Sequence, residues 1–232
     1  MSDAILYVIG SPLAEGQALP PHAVEILQSC DLVIGETRPV LDRYLKHHDV
    51  KGERFHLDPP RRDEQELLNE GLERIAKTGG KAALLSDVGM PILFDPGSSV
   101  LETCRRLGLS IRTVPGPTSW ATACSVSGWA PPFLIYGFLD RDAKIRESEL
   151  RRLMRSPENI VLMETPYRFL RLLADLQKHL GPKHQLFLAW EISKKDESYF
   201  WGTITEVLRY AEKKNYEKGE FVLLLKAPTS VK

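Results

Sequence analysis

Several absences in the sequence exclude whole classes of protein. The chain has 3 cysteines, Cys30, Cys104 and Cys124, which are far apart and odd in number, so they predict neither a disulfide framework nor a zinc site. Each lies in an apolar stretch, where we expect a small core residue. The histidines show no metal-ligand spacing. No run approaches the ~20 apolar residues that span a bilayer, and the first residues lack a signal-peptide pattern. These absences predict a soluble, cytoplasmic protein with no metal and no membrane partner.

The sequence also lacks an excess of either charge. Lys plus Arg and Asp plus Glu both total 31, so the formal net charge is zero. A global basic field for gripping duplex nucleic acid is therefore excluded, although a local basic face stays possible. The 43% of hydrophobic and 27% of charged residues are typical of a globular chain. At 232 residues, the length indicates one large domain or two small ones.

Short apolar runs alternate with amphipathic stretches along the whole chain, which predicts α/β structure. In the first half, the rhythm of buried strand and helix indicates right-handed crossovers and a mainly parallel sheet. The second half repeats it more loosely, which indicates a mixed sheet. The turn-forming residues from Gly128 to Pro132 predict a boundary between two domains, 1–128 and 129–232. The predicted strands are 5–9, 32–35, 82–85, 110–114, 133–137, 160–163, 186–190, 198–201 and 221–225.

Three loops rich in Gly and Pro directly follow predicted strands of the first half. They are residues 10–16, 86–97 and 114–119. In an open parallel sheet, ligands bind beyond the carboxyl ends of the strands, so three such loops at one edge indicate a ligand site. The first loop has no G-x-G-x-x-G, the chain has no P-loop, and Pro12 removes a backbone donor. A pyrophosphate is therefore disfavoured, and a ligand of mixed polarity such as S-adenosylmethionine is favoured.

The segments LYVIGSPL, DLVIGETRPV, LLSDVGMPILFDPG and VPGPTSWATACSVSG occur in an order that resembles the tetrapyrrole methylase superfamily, the class III S-adenosylmethionine-dependent methyltransferases. Later segments, YGFL and ETPYR among them, are most similar to the branch that methylates a cytidine ribose 2′-hydroxyl of small-subunit ribosomal RNA. The resemblance implies two α/β domains with an active-site trough between them, and a homodimer.

The resemblance also implies a set of residues that line the S-adenosylmethionine. The predicted cofactor-binding residues are Leu13, Asp87, Gly89, Met90, Pro91, Ile92, Leu93, Thr118, Ser119 and Met163.

A ribose hydroxyl is a poor nucleophile near neutral pH, so a base or a cation close to its oxygen would help the methyl transfer. Glu36, Arg38 and Lys194 are the predicted catalytic residues, with Glu197 a further candidate, and Arg168 is expected to position RNA phosphates.

Two alternatives stay open at this point. The enzyme could methylate a small molecule, of a tetrapyrrole-like or other kind. The chain could also be a cofactor-binding relative without catalytic activity that binds RNA or protein. Individually, most of the charged candidates are also compatible with surface ion pairs. Asp87 could serve only to order its own loop, and Ser119 could serve only as a helix cap.

Overall fold

The structure is a computed structural model that describes residues 3–59 and 62–228. It divides into two compact units, Met1–Thr118 and Ser119–Lys232. Each unit contains one five-stranded sheet covered by helices, so the predicted pair of α/β domains is confirmed. The division follows residue 118, whereas the sequence places the boundary after residue 128. The helix that begins at Ser119 accounts for the difference, because it packs on strands of the second unit.

The first unit is a parallel sheet with the strand order β3-β2-β4-β1-β5. Because every neighbouring pair is parallel, the carboxyl ends of all five strands lie at one edge. Its elements are β1 (Ile5–Ile9), α1 (Pro21–Gln28), β2 (Leu32–Thr37), α2 (Arg38–His47), β3 (Glu53–Asp58), α3 (Arg62–Thr78), β4 (Lys81–Leu85), α4 (Ser98–Arg106) and β5 (Ser110–Val114).

Both faces of this sheet are covered, which explains why its central strands are almost continuously apolar. On one face, Leu6 and Ile34 pack with Leu72 of α3. On the other face, Ile9 and Val33 pack with residues of α1 and α2. Cys30 and Cys104 are buried core residues as predicted, whereas Cys124 is only partly buried. Burial raises the pKa of the Cys30 thiol to about 12 and that of Cys104 to about 11.

The sequence does not predict strand β3. Strand β3 lies at the sheet edge, pairs only with β2 and is largely exposed, so its sequence lacks the apolar run of a central strand. Asp63 lies inside the first turn of α3. Gly97, with a φ of 130°, occupies the cap position of α4, so Ser98 is the first helical residue.

The second unit contains a mixed sheet, as predicted. Its strand order is β6-β7-β10-β8-β9. Only β6 and β7 are parallel; β10 is antiparallel to both β7 and β8, and β9 is antiparallel to β8. Its elements are α5 (Ser119–Ser127), β6 (Phe133–Phe138), α6 (Ala143–Leu153), β7 (Asn159–Met163), a short 3-10 helix (Pro166–Arg168), α7 (Phe169–Leu180), β8 (Gln185–Trp190), β9 (Ser198–Thr203), α8 (Ile204–Lys214) and β10 (Phe221–Leu225).

Helices α6, α7 and α8 enclose the main core of this unit around Phe169, Leu188 and Leu223. Helix α5 packs against β7 and β10. Among the described residues, no helix combines the length and the apolar character that crossing a bilayer requires.

Candidate active site

Backbone hydrogen bonds tie the loop after β1 to the loop after β4. The N–H of Ser11 donates to the carbonyl oxygen of Gly89 at 2.7 Å, and the N–H of Gly89 donates to the carbonyl of Ser11 at 3.1 Å. The Ser11 hydroxyl also donates to the carbonyl of Ser86 at 2.7 Å. Ser11 is fully buried, so these bonds are shielded from water. The two loops therefore form one unit of structure at the sheet edge.

The loop after β5 packs closely on both of the others. Gly116 N lies 3.2 Å from Met90 Sδ and donates to it. A methyl group added to Gly10 would lie 2.5 Å from Gly116 Cα, a distance that no side chain tolerates. A methyl group on Gly89 would lie 3.4 Å from the Pro117 oxygen and 3.6 Å from Leu13 Cδ2. The predicted meeting of the three loops is thus confirmed.

The loop after β4 has a strained backbone and exposed apolar side chains. Gly89 has a φ of 71°, and two non-glycine residues share that region, Ile92 at 77° and Phe94 at 71°. A β-branched residue with positive φ is rare, and such strain is found mainly at ligand sites. Leu93 is 47% exposed and Phe94 41% exposed. The loop therefore offers apolar side chains to a ligand.

A carboxylate pair links this loop to the end of β2. Asp87 Oδ1 accepts from the N–H of Thr37 at 3.1 Å, and Oδ2 accepts from the Thr37 hydroxyl at 2.7 Å. In return, Glu36 Oε2 accepts from the N–H of Asp87 at 3.0 Å. Asp87 thus orders its own loop, which was one of the two roles that the sequence left open. Binding of the cofactor by Asp87 stays a prediction.

The same region concentrates negative charge. Burial, followed by the nearby Glu36 carboxylate, raises the pKa of Asp95 from 3.8 to about 7. Burial also raises the pKa of Glu36, with the charges of Asp87 and Asp58 adding to the effect, while the N–H of Asp87 opposes it. An acidic surface of this kind suits a ligand that carries positive charge. Together with the apolar side chains of the loop, it is compatible with S-adenosylmethionine, whose sulfonium is cationic.

The raised pKa of Asp95 predicts that the protein loses stability as the pH rises. In the unfolded chain Asp95 ionises near pH 4, whereas in the folded protein it keeps its proton until about pH 7. The unfolded state is therefore favoured progressively across this window. Asp95→Asn imitates the protonated acid, and we expect it to raise the unfolding free energy by about 2 kcal/mol at pH 8. Urea unfolding at pH 4.5 and pH 8 measures this; an equal effect at both values would contradict it.

The predicted cofactor residues divide between the two units. Leu13 lies in the loop after β1, and the loop after β4 contains Asp87, Gly89, Met90, Pro91, Ile92 and Leu93. Thr118 ends the first unit, while Ser119 is the first residue of α5 and Met163 ends β7. The sheet edge of the first unit thus brings most of the predicted set together within one unit.

The predicted cations of the second unit are held by carboxylates at one edge of its sheet. Lys194 Nζ lies 2.9 Å from Glu191 Oε2 and 3.0 Å from Glu220 Oε2. Burial alone would lower the pKa of Lys194, but hydrogen bonds to these two carboxylates raise it. Lys194 is therefore charged and is not a proton acceptor. Arg168 pairs at 3.1 Å with Glu164, which is buried.

Arg38 and Glu197 also interact with neighbouring residues of the protein. Arg38 begins α2 directly after Glu36 and Thr37, its side chain is 62% exposed, and its Nε lies 3.7 Å from Asp42. It borders a groove of about 230 Å³ that also contains Arg54 and His56. Glu197 accepts hydrogen bonds from the backbone of Ser193 and from the Tyr199 hydroxyl.

Sequence reasoning missed three residues that shape the first unit's edge. Thr37 holds Asp87, Asp95 carries the raised pKa, and Tyr44 has its pKa raised by burial although a hydrogen bond with Ser11 opposes this. Asp95 stands within the loop that the sequence analysis singled out, so its signal was present. Thr37 and Tyr44 belong to other elements, and only folding brings them to the loop.

Comparison with known proteins gives this geometry a context. Residues 5–208 match the family model described as Tetrapyrrole (Corrin/Porphyrin) Methylases. A Synechocystis protein named ribosomal RNA small subunit methyltransferase I is 32% identical over 228 residues, 97% of this chain and 80% of the relative. A Thermotoga maritima protein with the same name is 31% identical over 221 residues, 95% of this chain and 97% of the relative.

Solved structures share the fold at lower identity. The uroporphyrin-III C-methyltransferase of Thermus thermophilus, solved in complex with S-adenosylhomocysteine, superposes with a TM-score of 0.60 at 20% identity. The match covers 96% of this chain and 97% of that protein. At this identity the likeness shows that the two chains share a two-domain α/β fold.

Proposed function

Because the chain belongs to the tetrapyrrole methylase family of methyltransferases, we propose that it transfers a methyl group from S-adenosylmethionine to small-subunit ribosomal RNA, at a ribose 2′-hydroxyl. One observation carries this proposal: relatives that are 31–32% identical over nearly the whole chain are named ribosomal RNA small subunit methyltransferase I. The packed loops of the first unit support the cofactor side of the proposal.

The cofactor site that we propose uses the loops after β1, β4 and β5. Backbone groups of Met90 and Ile92 would bond the polar edges of the nucleoside, and Leu13 and Leu93 would cover its apolar parts. The acidic groups of Glu36, Asp87 and Asp95 would favour the positive charge, and a bound cation would in turn favour the ionised form of Asp95. S-adenosylmethionine, when bound, supplies a methyl group on a sulfonium that is a good leaving group. The residues of this chain would hold it and align the hydroxyl, which is catalysis by orientation.

On the nucleophile side, we propose that Glu36 accepts the proton of the ribose hydroxyl. Its pKa is raised by burial, which moves a carboxylate towards the range of an effective base. Arg38, two residues further along and largely exposed, would steer the sugar-phosphate chain. The Lys194 charge, shared between two carboxylates, would position the substrate rather than exchange protons.

We propose further that the protein acts in the cytoplasm as a homodimer. A ribosomal substrate favours that compartment. The edge strands β5 and β9 carry the exposed apolar side chains of Ile111 and Trp201, the latter 48% exposed, and a partner chain would cover such edges. Sedimentation of the purified protein as a monomer at all concentrations would contradict the dimer.

The activity is tested with S-adenosylmethionine that carries a labelled methyl group. We expect the purified protein to label the RNA of small ribosomal subunits from a strain in which its gene is deleted, and not those from the parent strain. A 2′-O-methyl group removes the nucleophile that alkali uses to cut RNA. The label should therefore remain in alkali-resistant dinucleotides.

Three controls separate the alternatives. Label in an added tetrapyrrole but not in RNA would favour small-molecule methylation. A protein that binds S-adenosylhomocysteine but transfers no methyl group from S-adenosylmethionine to either substrate would favour a relative without catalytic activity. Glu36→Gln removes the proposed proton acceptor, so it should slow methyl transfer by about 100-fold. Its side-chain oxygen can still accept from the Asp87 N–H, so the cofactor should still bind.

A further inference from the structure

One edge of the second unit's sheet presents an exposed aromatic ring beside a lysine. Tyr167, in the short 3-10 helix that follows β7, is 74% exposed. Lys218 Nζ lies 4.4 Å from the centre of the Tyr167 ring. Strands β7 and β10 are antiparallel neighbours with Val222 opposite Met163. The segment after β7, which contains Tyr167, and the segment before β10, which contains Lys218, therefore lie next to each other. The Tyr167 ring is therefore in contact with the Lys218 ammonium group, while most of the Tyr167 surface is exposed to solvent.

Hydrogen bonds and an ion pair hold the turn that carries this ring. Glu164 is buried, accepts from the N–H of Thr165 at 2.7 Å and pairs with Arg168 at 3.1 Å. The Thr165 carbonyl accepts from the N–H of Arg168 at 2.9 Å, which closes the turn. Tyr167 is thus held on a fixed support, and a ligand that stacks on it would not have to order the backbone first.

Lys218 and Arg171 supply positive charge at this edge. Within the described part of the chain, neither residue forms an ion pair, and Arg171 is exposed on α7 one helical turn beyond Tyr167. The charges of Lys194 and Arg168, in contrast, are offset by Glu191, Glu220 and Glu164. An aromatic ring combined with unpaired cations is complementary to a base and its flanking phosphates.

We propose that Tyr167 stacks on an unpaired base of the RNA substrate and that Lys218 contacts the adjacent phosphate. This inference rests on the proposed function and deepens it, because stacking on one exposed ring requires a base that is not paired in a helix. The substrate segment would accordingly be single-stranded where it meets this edge. Both residues are positioning residues: they hold the RNA and take no part in the methyl transfer.

The test measures the affinity of the full chain for a labelled, single-stranded RNA of small-subunit ribosomal sequence at several salt concentrations. We expect Tyr167→Ala to weaken binding by about five- to 100-fold and Tyr167→Phe, which keeps the ring, to bind like the parent. Lys218→Ala should weaken binding and reduce the slope of log affinity against log salt by about 0.7.

Lys226→Ala is the matched control. Lys226 Nζ lies 4.6 Å from the ring of Trp129, a similar pair at the opposite edge of the same sheet, and its loss should leave RNA affinity unchanged. All four variants should bind S-adenosylhomocysteine like the parent. Unchanged RNA affinity of Tyr167→Ala, or an equal loss in Lys226→Ala, would overturn the inference while methylation of ribosomal RNA by the parent still upholds the proposed function. A parent that binds an acidic peptide but no RNA would overturn both.

Discussion

Gly10→Ala is expected to abolish cofactor binding and to lower the free energy of unfolding by about 3 kcal/mol. The added methyl group would lie 2.5 Å from Gly116 Cα, 2.6 Å from Gly116 N and 2.7 Å from Met90 Sδ. Two of these atoms are backbone, so the overlap cannot be relieved by a rotamer change. The loops after β1 and β5 would have to separate, and the surface that they form with the loop after β4 would be lost.

Gly108→Ala is the matched control for this variant. Gly108 has a φ of 79° with nothing within 4 Å of an added methyl group, and it follows α4 at the opposite end of β5. Its substitution should cost about 1 kcal/mol through backbone strain alone and leave cofactor affinity intact. Urea unfolding and calorimetric titration with S-adenosylhomocysteine measure both quantities. Normal cofactor affinity in a folded Gly10→Ala protein would show that the site lies elsewhere.

Asp87→Ala is expected to lower the free energy of unfolding by about 2–3 kcal/mol and to weaken cofactor binding about tenfold. The substitution removes both acceptors of Thr37, one of which bonds the backbone N–H at 3.1 Å. The loop after β4 would lose its attachment to β2, and the cofactor would have to order it on binding.

Asp87→Asn separates hydrogen bonding from charge. Its amide oxygen can accept from the Thr37 N–H and its amide nitrogen can donate to the Thr37 hydroxyl, so most of the stability should remain. Burial is the largest cause of the raised pKa values of Glu36 and Asp95, but loss of the Asp87 charge should lower both pKa values in part. NMR titration of the carboxyl carbons measures this change. If Asp87→Asn is as unstable as Asp87→Ala, the bonds to Thr37 do not hold the loop.

Much of the fold was determined by the sequence itself, because its signals are local. The apolar run of β1 and the Gly and Pro residues of the loops predicted strands, turns and the meeting of three loops at one sheet edge, since parallel strands end on the same side. Edge strand β3 was not predicted from the sequence, because a strand that pairs on one side needs no continuous apolar run. Helix α5 belongs with the second unit because of the strands on which it packs, which composition does not reveal.

Local pairs such as Arg168 with Glu164 are four positions apart in the chain, but the long-range partners of the charged candidates were decided by tertiary structure alone. Asp87 and Thr37 are 50 positions apart in the chain, and the sequence gives no sign that they bond. The pairing of Lys194 with Glu220 and the proximity of Asp95 to Glu36 likewise depend on which strands are neighbours. A charge acts through its distance to other charges and its exposure to water, and both are set only when the strands assemble. Residue types and their order could therefore nominate these side chains, but only the fold could assign each its partner and its protonation.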